Sequence, residues 1–456
     1  MKPLEPLELL EPLKHLNLTK TLSLAVLVYT SQITPRLQYI FDFIGKEILQ
    51  DGFQLTTDKQ VFAGHTGACI NYSQDKINTQ EFFLSPNPLL FQQEISGQDT
   101  GCFEQDGLTF FFKTTGDLPF DIFAASFFLL SRYEEYLPHE KDEYGRYAYQ
   151  NSLAYREKFL DIPLINYWIA DFSNKLKERF PSIAVKTPAF LFLPTYDIDI
   201  AWSYKHKGWW RQLGGFGRLL IKGRFSAISE RMAVLRGKAK DPFDAYGWMN
   251  QLHERYKLKP YYFFLLADKR GKYDKNISPA DPAMKKLIED HLIHYPTGIH
   301  PSWQSGDDES LLQKEITRLA DITGNPVVAS RQHYIRFTLP DTFRKLIAHK
   351  IGFDFSMGYG SINGFRASVA SPFYWYDLKN ETATQLMLFP FCFMEANSFY
   401  EQKDSPEQAL KDMRHYYRVV KEVNGTFIMI WHNSFLGTDK LYEGWREVYE
   451  EFIKSL

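Results

Sequence analysis

The feature that most constrains this 456-residue chain is a regular alternation of strand-like and helix-like segments from residue 241 to the end. Short apolar runs such as Pro260–Leu266 and Thr426–Trp431 alternate with longer segments of helical periodicity such as Pro406–Val423. Strands that alternate with helices form parallel sheets with right-handed crossovers. The pattern contains about seven strands, and we therefore predict an α/β fold built on a seven-stranded (β/α) barrel.

Two carboxylates, Asp197 and Asp199, follow the apolar run Ala189–Leu193. Residues i and i+2 of an extended chain point to the same side, so both carboxylates can face one small volume. Neighbouring carboxylates repel each other unless a positive group lies beside them. A divalent metal held by one would remove that repulsion and leave the other free as a general base. The alternative interpretation is an Asx-rich turn that caps the following helix.

Three further strand ends carry residues that can bind a metal or move a proton. His300 ends one strand, Arg331 and His333 follow another, and His432 ends the last. Functional groups of a β/α barrel collect at the carboxyl ends of its strands, so these residues should converge with the aspartate pair. A lone histidine after an apolar run is more often a hydrogen-bonded core residue, and only the coincidence of four strand ends favours a site.

The order of these motifs resembles that of the NodB-homology polysaccharide deacetylases, carbohydrate esterase family four, over about residues 186–456. The segments that carry the resemblance are, in chain order, Thr195–Asp199, Lys259–Phe264, Gly298–Ser302, Ser330–His333 and Ile428–Asn433. The resemblance implies the distorted seven-stranded barrel of the NodB type. It also implies a metal-dependent hydrolase that removes N-acetyl groups from a sugar or polysaccharide.

The resemblance implies a role for each motif residue. Asp197 would be the general base, and Asp199 and His300 would bind a divalent metal ion, with zinc expected. Arg331 would hold the base carboxylate ionised, because its charge is fixed and its fork matches a carboxylate. His432 would be the general acid.

One position departs from the family pattern. The family has a second histidine four residues after the first, where this chain has Gln304. Glutamine is a poor zinc ligand, so His333, Gln304 or water could fill the third position, and we predict His333. Two alternatives to a sugar deacetylase therefore stay open. One is an amidohydrolase of another small amide, and the other is a barrel that has lost its metal and binds glycans.

Residues 1–185 are predicted to form a smaller α+β domain of unassigned role, ahead of the barrel at 186–456. The boundary follows Pro181, which ends an amphipathic helix. Tyr144–Tyr147 lies in a polar loop that could contact a ligand, but we favour a solvated connector, and we interpret Asp354 as a helix-to-strand connector. Arg366 and Glu395 are expected to have structural roles, with Glu395 able to support a histidine.

The composition and the first residues indicate the cellular compartment and the class of partner. The three cysteines are widely spaced and form no CxxC pair, which indicates a reducing compartment. Residues 1–14 lack the basic-then-apolar order of a signal peptide, and we therefore expect a cytoplasmic protein. The formal net charge of −2 argues neither for nor against a polyanionic partner, and we expect no nucleic-acid ligand.

Residues 205–240 form a basic insert within the predicted barrel. The insert contains ten Lys or Arg residues and one acidic residue, Glu230, interleaved with apolar residues. Such a segment can lie on an anionic lipid surface or bind a polyanion. It can also be a solvated helical excursion over the barrel rim, which is the interpretation we favour from sequence alone.

Overall fold

The computed structural model describes residues 26–221, 223 and 225–456 and has a mixed α/β architecture. Residues 1–25 of the predicted N-terminal domain lie outside these ranges. Two larger sheets, of four and nine strands, are accompanied by a two-stranded hairpin. Among the described residues, none of the helices combines the length and the apolar composition needed to cross a bilayer.

The N-terminal region is built on a parallel sheet of strand order β2-β1-β3-β4. Its strands are β1 (Val26–Thr30), β2 (Phe53–Thr56), β3 (Cys69–Tyr72) and β4 (Phe82–Leu84). All three ladders of this sheet are parallel. The region therefore has an α/β arrangement in place of the predicted α+β arrangement. A separate hairpin, β5 (Phe103–Gln105) with β6 (Leu108–Phe110), is antiparallel.

Five α-helices accompany this sheet in the described part of the N-terminal region: α1 (Pro35–Ile48), α2 (Lys59–Ala63), α3 (Ile122–Leu130), α4 (Leu153–Arg156) and α5 (Leu164–Arg179). Thr34 caps α1 by accepting the N–H of Leu37, and Pro35 supplies the fixed φ suited to a first helical position. Asp121 caps α3, whose nine residues are all buried.

The C-terminal region is built on nine strands. They are β7 (Leu191–Ile198), β8 (Tyr261–Leu265), β9 (Thr297–His300), β10 (Ala329–Ser330), β11 (Phe353–Asp354), β12 (Phe373–Asp377), β13 (Thr382–Leu388), β14 (Phe393–Met394) and β15 (Thr426–His432). Their order is β12-β13-β11-β10-β9-β8-β7-β15-β14, and the β12–β13 ladder is antiparallel while the others are parallel. A closed seven-stranded barrel is not confirmed, because within the described ranges no ladder joins the edge strands β12 and β14.

Helices connect most of these strands, as the alternating pattern predicts. They are α6 (Trp209–Ile221), α7 (Phe225–Leu235), α8 (Tyr246–Tyr256), α9 (Pro282–Leu292), α10 (Glu309–Thr323), α11 (Asp341–Ala348), α12 (Pro406–Glu422) and α13 (Trp445–Lys454). The insert at 205–240 holds α6 and α7; its residues 222 and 224 lie outside the described ranges.

One hydrophobic core extends through both regions, from Val26 to Ile453. Ion pairs also join the regions: Arg366 Nη2 lies 2.7 Å from Glu135 Oε2, and Arg36 Nη2 lies 2.6 Å from Glu381 Oε1. Unpaired charges are costly to bury, so these contacts fix how the regions meet. The predicted boundary at residue 185 falls in the connection between α5 and β7.

Candidate active site

Strand register brings the predicted site residues together at one edge of the nine-stranded sheet. His432 of β15 is the ladder partner of Asp197 in β7, and His300 of β9 is the partner of Leu265 in β8. Ser330 pairs with Ile299, so Arg331 follows beside His300. Asp197 lies within β7 instead of following it, because the strand continues to residue 198.

Asp197 is buried and paired with an equally buried arginine. Arg331 Nη1 donates a hydrogen bond of 2.8 Å to Asp197 Oδ1, and Arg331 Nε donates one of 3.0 Å to the carbonyl oxygen of Phe355. The guanidinium carbon lies 4.5 Å from the centre of the Phe263 ring. Burial lowers the pKa of Arg331, while Asp197 opposes that effect. The pair fixes one oxygen of Asp197 and leaves Oδ2 facing His300.

Asp199, His300 and His333 form a cluster whose potential ligand atoms all lie within 4.8 Å of one another. His300 Nε2 is 3.1 Å from Asp199 Oδ1, and His333 Nε2 is 3.3 Å from Asp199 Oδ2. Two imidazole nitrogens and one carboxylate are a donor set that suits zinc and related divalent ions.

The outer nitrogen of each histidine in this cluster has a hydrogen-bond acceptor. His300 Nδ1 lies 2.5 Å from the carbonyl oxygen of Arg331, and His333 Nδ1 lies 3.0 Å from Oδ1 of the buried Asp274. An Nδ1–H that donates to such an acceptor fixes the tautomer and leaves the Nε2 lone pair for a metal. Both rings therefore have the orientation that metal-binding histidines require.

Asp199 is the electrostatic centre of the site. Burial disfavours its charged form, but His333, His300 and His432 outweigh burial and hold the pKa of Asp199 well below its usual range. Its buried Oδ1 atom accepts no hydrogen bond within the described residues, although His300 Nε2 lies 3.1 Å away. Buried carboxylate oxygens are normally satisfied, so this atom is available to a cation.

His432 also lies beside Asp199, and its Nε2 atom is 3.3 Å from Asp199 Oδ2. Glu395 is fully buried behind it, and its Oε1 atom lies 2.6 Å from His432 Nδ1 and accepts the His432 backbone N–H at 2.7 Å. Burial disfavours the imidazolium, but Glu395 and Asp199 raise the pKa of His432 well above its ordinary value. The expected support of a histidine by Glu395 is present in this geometry.

Gln304 does not join the cluster. Its side-chain amide is directed to the carbonyl oxygen of Lys269 at 3.5 Å, in an exposed position. Of the two protein residues considered for the third ligand position, only His333 lies beside Asp199 and His300.

Three residues outside the cluster compare differently with what the sequence predicted for them. Asp274, in the long loop after β8, has no recognisable motif around it and was not predicted. Asp354 is a buried acceptor for Ser330 and Ser356, and burial raises its pKa to about 6, so the connector interpretation is wrong. Arg366 pairs with Glu135 away from the cluster, which agrees with the structural role expected for it.

A cleft of about 480 Å³ opens above the cluster. One wall comes from the N-terminal region: Tyr144 and Arg146 line the cleft, and Arg146 Nη1 donates a 2.8 Å hydrogen bond to the carbonyl oxygen of Tyr334. Tyr144 packs against Tyr334 and Trp303 at ring-centre distances of 5.4 Å and 6.1 Å. Arg146 is only 4% exposed, so the solvated-connector interpretation of this loop is wrong.

Comparisons with known proteins give limited matches. The profile of a family of unknown function (DUF7033) matches residues 26–181, which is less than half of the chain. No curated protein matches the chain.

The chain is also similar to solved structures, of which three are described here. A protein from Mycobacterium smegmatis assigned as a polysaccharide deacetylase is 14% identical, with 59% of this chain and 87% of that chain covered and a TM-score of 0.36. The Puue allantoinase is 9% identical, with 59% and 84% covered and a TM-score of 0.38. A protein from Pseudomonas aeruginosa PAO1 assigned as a polysaccharide deacetylase is 12% identical, with 59% and 84% covered and a TM-score of 0.36. Matches at this level assign no activity to this chain.

Proposed function

We propose that this protein is a metal-dependent hydrolase of carbon–nitrogen bonds that removes the N-acetyl group from an amino sugar. The observation that carries the proposal is the grouping of Asp199, His300 and His333 within 4.8 Å of one another. Two further residues flank this group. Asp197 Oδ2 lies 3.8 Å from His300 Nε2, and His432 Nε2 lies 3.3 Å from Asp199 Oδ2. Motif order supports the same conclusion independently of these distances.

The cluster fits a divalent cation by its donor chemistry. Both histidines are oriented by acceptors at Nδ1, and Asp199 carries a buried oxygen with no hydrogen-bond partner in the described ranges. Asp199, His300 and His333 would hold the ion, with zinc as our expectation from the mixed nitrogen and oxygen donors. When bound, the ion supplies Lewis-acid polarisation of the acetyl carbonyl and makes water more acidic.

Asp197 would act as the general base. Its Oδ1 atom is occupied by Arg331, so Oδ2, on the His300 side, would accept the proton of the attacking water. The planar, permanently charged guanidinium of Arg331 holds this carboxylate in place through Oδ1. Arg331 would therefore position the base and would not touch the substrate.

His432 would act as the general acid. Its Nδ1 atom is held by Glu395, and its Nε2 atom faces the cluster beside Asp199. Breaking the amide requires a proton on the departing nitrogen, which the imidazolium of His432 would supply. Base and acid would thus act from adjacent strands, β7 and β15.

The cleft is of a size that suits a small ligand or a short portion of a polymer. Its wall carries the tyrosine rings of residues 144, 273 and 334, and aromatic faces are suited to the apolar faces of sugar rings. This wall favours a sugar over a small aliphatic amide. An amidohydrolase of another amide is the second candidate, because the same metal chemistry serves either substrate.

The test is acetate release by purified full-length protein loaded with Zn²⁺, Co²⁺ or Mn²⁺ in turn. The substrates are N-acetylglucosamine, its short oligomers and N-acetylglycine. We expect near-stoichiometric metal and acetate release from at least one sugar. Release from N-acetylglycine alone would favour the second candidate. Absence of bound metal after loading would contradict the hydrolase proposal and favour a glycan-binding protein.

A further inference from the structure

The basic insert carries an exposed apolar helix face. On α6 the side chains of Trp209, Trp210, Leu213, Leu220 and Ile221 are exposed by 60%, 70%, 56%, 61% and 88%. At 100° per residue these five positions fall on one side of the helix. Phe225, at the start of α7, is 68% exposed. A helix solvated by water presents its polar side outward, whereas this helix exposes apolar side chains.

The side of α6 that faces α7 carries Gln212, Gly215 and Phe216. Arg231 of α7 donates hydrogen bonds of 3.0 Å and 2.6 Å to the Gln212 side chain and lies 4.9 Å from the Phe216 ring centre. A side chain at Gly215 would collide with the Arg231 guanidinium, which shows how closely the helices approach. The outward direction of the apolar face is thus fixed by packing on the opposite side of α6.

The insert is attached firmly at its base. The Asp241 carboxylate accepts the backbone N–H groups of Ser203, Tyr204 and Lys205 at 2.7 to 2.9 Å. Arg211 Nη2 donates a 3.4 Å hydrogen bond to the carbonyl oxygen of Lys275, a residue that lines the cleft. The start of α6 therefore contacts a segment that lines the cleft.

We propose that the hairpin of α6 and α7 docks the protein on an anionic lipid surface. The apolar side chains of α6 would enter the interfacial region of the bilayer, and the exposed basic residues of the insert, Arg236, Lys238 and Lys240, would contact acidic headgroups. In the described part of the chain, Trp209 and Trp210 are the two tryptophans that are exposed, and tryptophan prefers the interface between headgroups and acyl chains.

Charge favours an anionic lipid surface over a second copy of this chain or a nucleic acid as the partner of this face. The insert has ten basic residues and one acid, so two copies meeting through this face would repel each other. A nucleic acid would satisfy the charges but would leave the apolar face of α6 uncovered. A bilayer that contains acidic lipids satisfies both features, and this conclusion does not depend on the chemistry of the cleft.

The test is sedimentation of the full-length protein with vesicles of phosphatidylcholine alone or with one-third phosphatidylglycerol. We expect binding to the anionic vesicles only. Binding should weaken when salt is raised from about 0.1 M to about 1 M, where the Debye length falls from about 10 Å to about 3 Å. A wild-type protein that stays in the supernatant with anionic vesicles at low salt would overturn the proposal.

Two variants separate the apolar and the electrostatic contributions. Trp209→Ser/Trp210→Ser should lower the partition coefficient at least about tenfold, because interfacial binding scales with buried apolar area. The matched control is Ile293→Ser, which removes a side chain 57% exposed outside the insert and should bind as the wild type does. Equal partitioning of the tryptophan variant and the wild type would overturn the proposal.

The charge variant is Lys238→Gln/Lys240→Gln, which should weaken binding about fivefold per residue. Lys285→Gln/Lys286→Gln is its control, because both lysines are exposed on α9 and lie outside the insert. Thermal unfolding midpoints verify that each variant is folded. Self-association of the wild type that Trp209→Ser/Trp210→Ser abolishes, without any binding to vesicles, would assign the face to a second copy and overturn the proposal.

Discussion

The buried carboxylate of Asp274 lies 3.0 Å from Nδ1 of His333 and also accepts the backbone N–H of Trp303 at 2.9 Å. One side chain thereby joins the loop after β8 to the loop after β9 and to the histidine that completes the candidate metal cluster. This contact holds the His333 ring with its Nε2 atom toward Asp199 Oδ2, 3.3 Å away.

Asp274→Asn should weaken binding of Zn²⁺ about 10- to 100-fold, because it removes the carboxylate that orients His333. Competition with a chromogenic chelator measures the affinity. The control is Asp307→Asn, which changes an exposed carboxylate paired with Arg336. Unchanged affinity in the Asp274 variant would show that the His333 ring does not need this carboxylate.

His333→Ala should abolish stoichiometric Zn²⁺ binding, whereas Gln304→Ala should leave it intact. The reason is that the His333 ring faces Asp199 at 3.3 Å while the Gln304 amide is directed to the carbonyl of Lys269. Metal content after dialysis distinguishes the two variants. Loss of metal in the Gln304 variant, with retention in the His333 variant, would reverse the ligand assignment.

Asp197→Asn should lower kcat about 100- to 10,000-fold while Zn²⁺ stays bound, because the variant loses the proton acceptor and keeps all three ligands. Acetate release and metal content are measured on the same preparation. Asp199→Asn is the comparison, and it should lose the metal as well. Activity of the Asp197 variant near the wild-type level would refute its role as base.

Glu395→Gln should lower kcat with little change in KM, since Glu395 positions His432 from behind and does not line the cleft. His432→Ala should lower kcat by about 100- to 10,000-fold, the range of a proton-transfer group. Both variants should retain Zn²⁺. A rise in KM at constant kcat would indicate a substrate-binding role instead.

Glu135→Gln tests the ion pairs that join the two regions. Glu135 is buried between Arg366 and Arg132, and although burial opposes its charge, these arginines lower its pKa to about 2. A carboxyl whose folded pKa is lowered adds stability above its unfolded pKa, and this stability is lost as pH falls toward 2. The variant should lose about 3 kcal/mol of unfolding free energy at pH 7 and much less near pH 2.

Denaturant titrations at several pH values measure this difference. Glu451→Gln is the control, because Glu451 is exposed and paired only at the surface with Arg414, so the change should cost less than about 1 kcal/mol. A difference between the Glu135 variant and the wild type that does not depend on pH would contradict the assigned pKa shift.

Much of the architecture was predictable, because local patterns determine it. Helical periodicity over Pro406–Val423 anticipates α12 to within one residue, and the apolar run at 426–431 anticipates β15. The grouping of the candidate site residues was predictable for a related reason, since residues at the carboxyl ends of parallel strands meet at one edge of the sheet.

Other features depend on contacts between distant segments, which periodicity does not encode. The pairing of β12 with β13 gives the sheet its antiparallel edge, and the strand β12 has no flanking helical pattern that would mark it. Asp274 and the cleft-lining loop at 143–146 acquire their positions only after the chain has folded around them. Burial of Arg146 could not be inferred from its polar sequence neighbours.

The wall that Tyr144 and Arg146 contribute has a consequence for how chains of this kind should be sorted. Grouping them by the motifs of residues 186–456 alone would compare only the candidate metal cluster and its neighbours and would ignore part of the cleft wall. Differences in selectivity should instead be sought in the first third of the sequence.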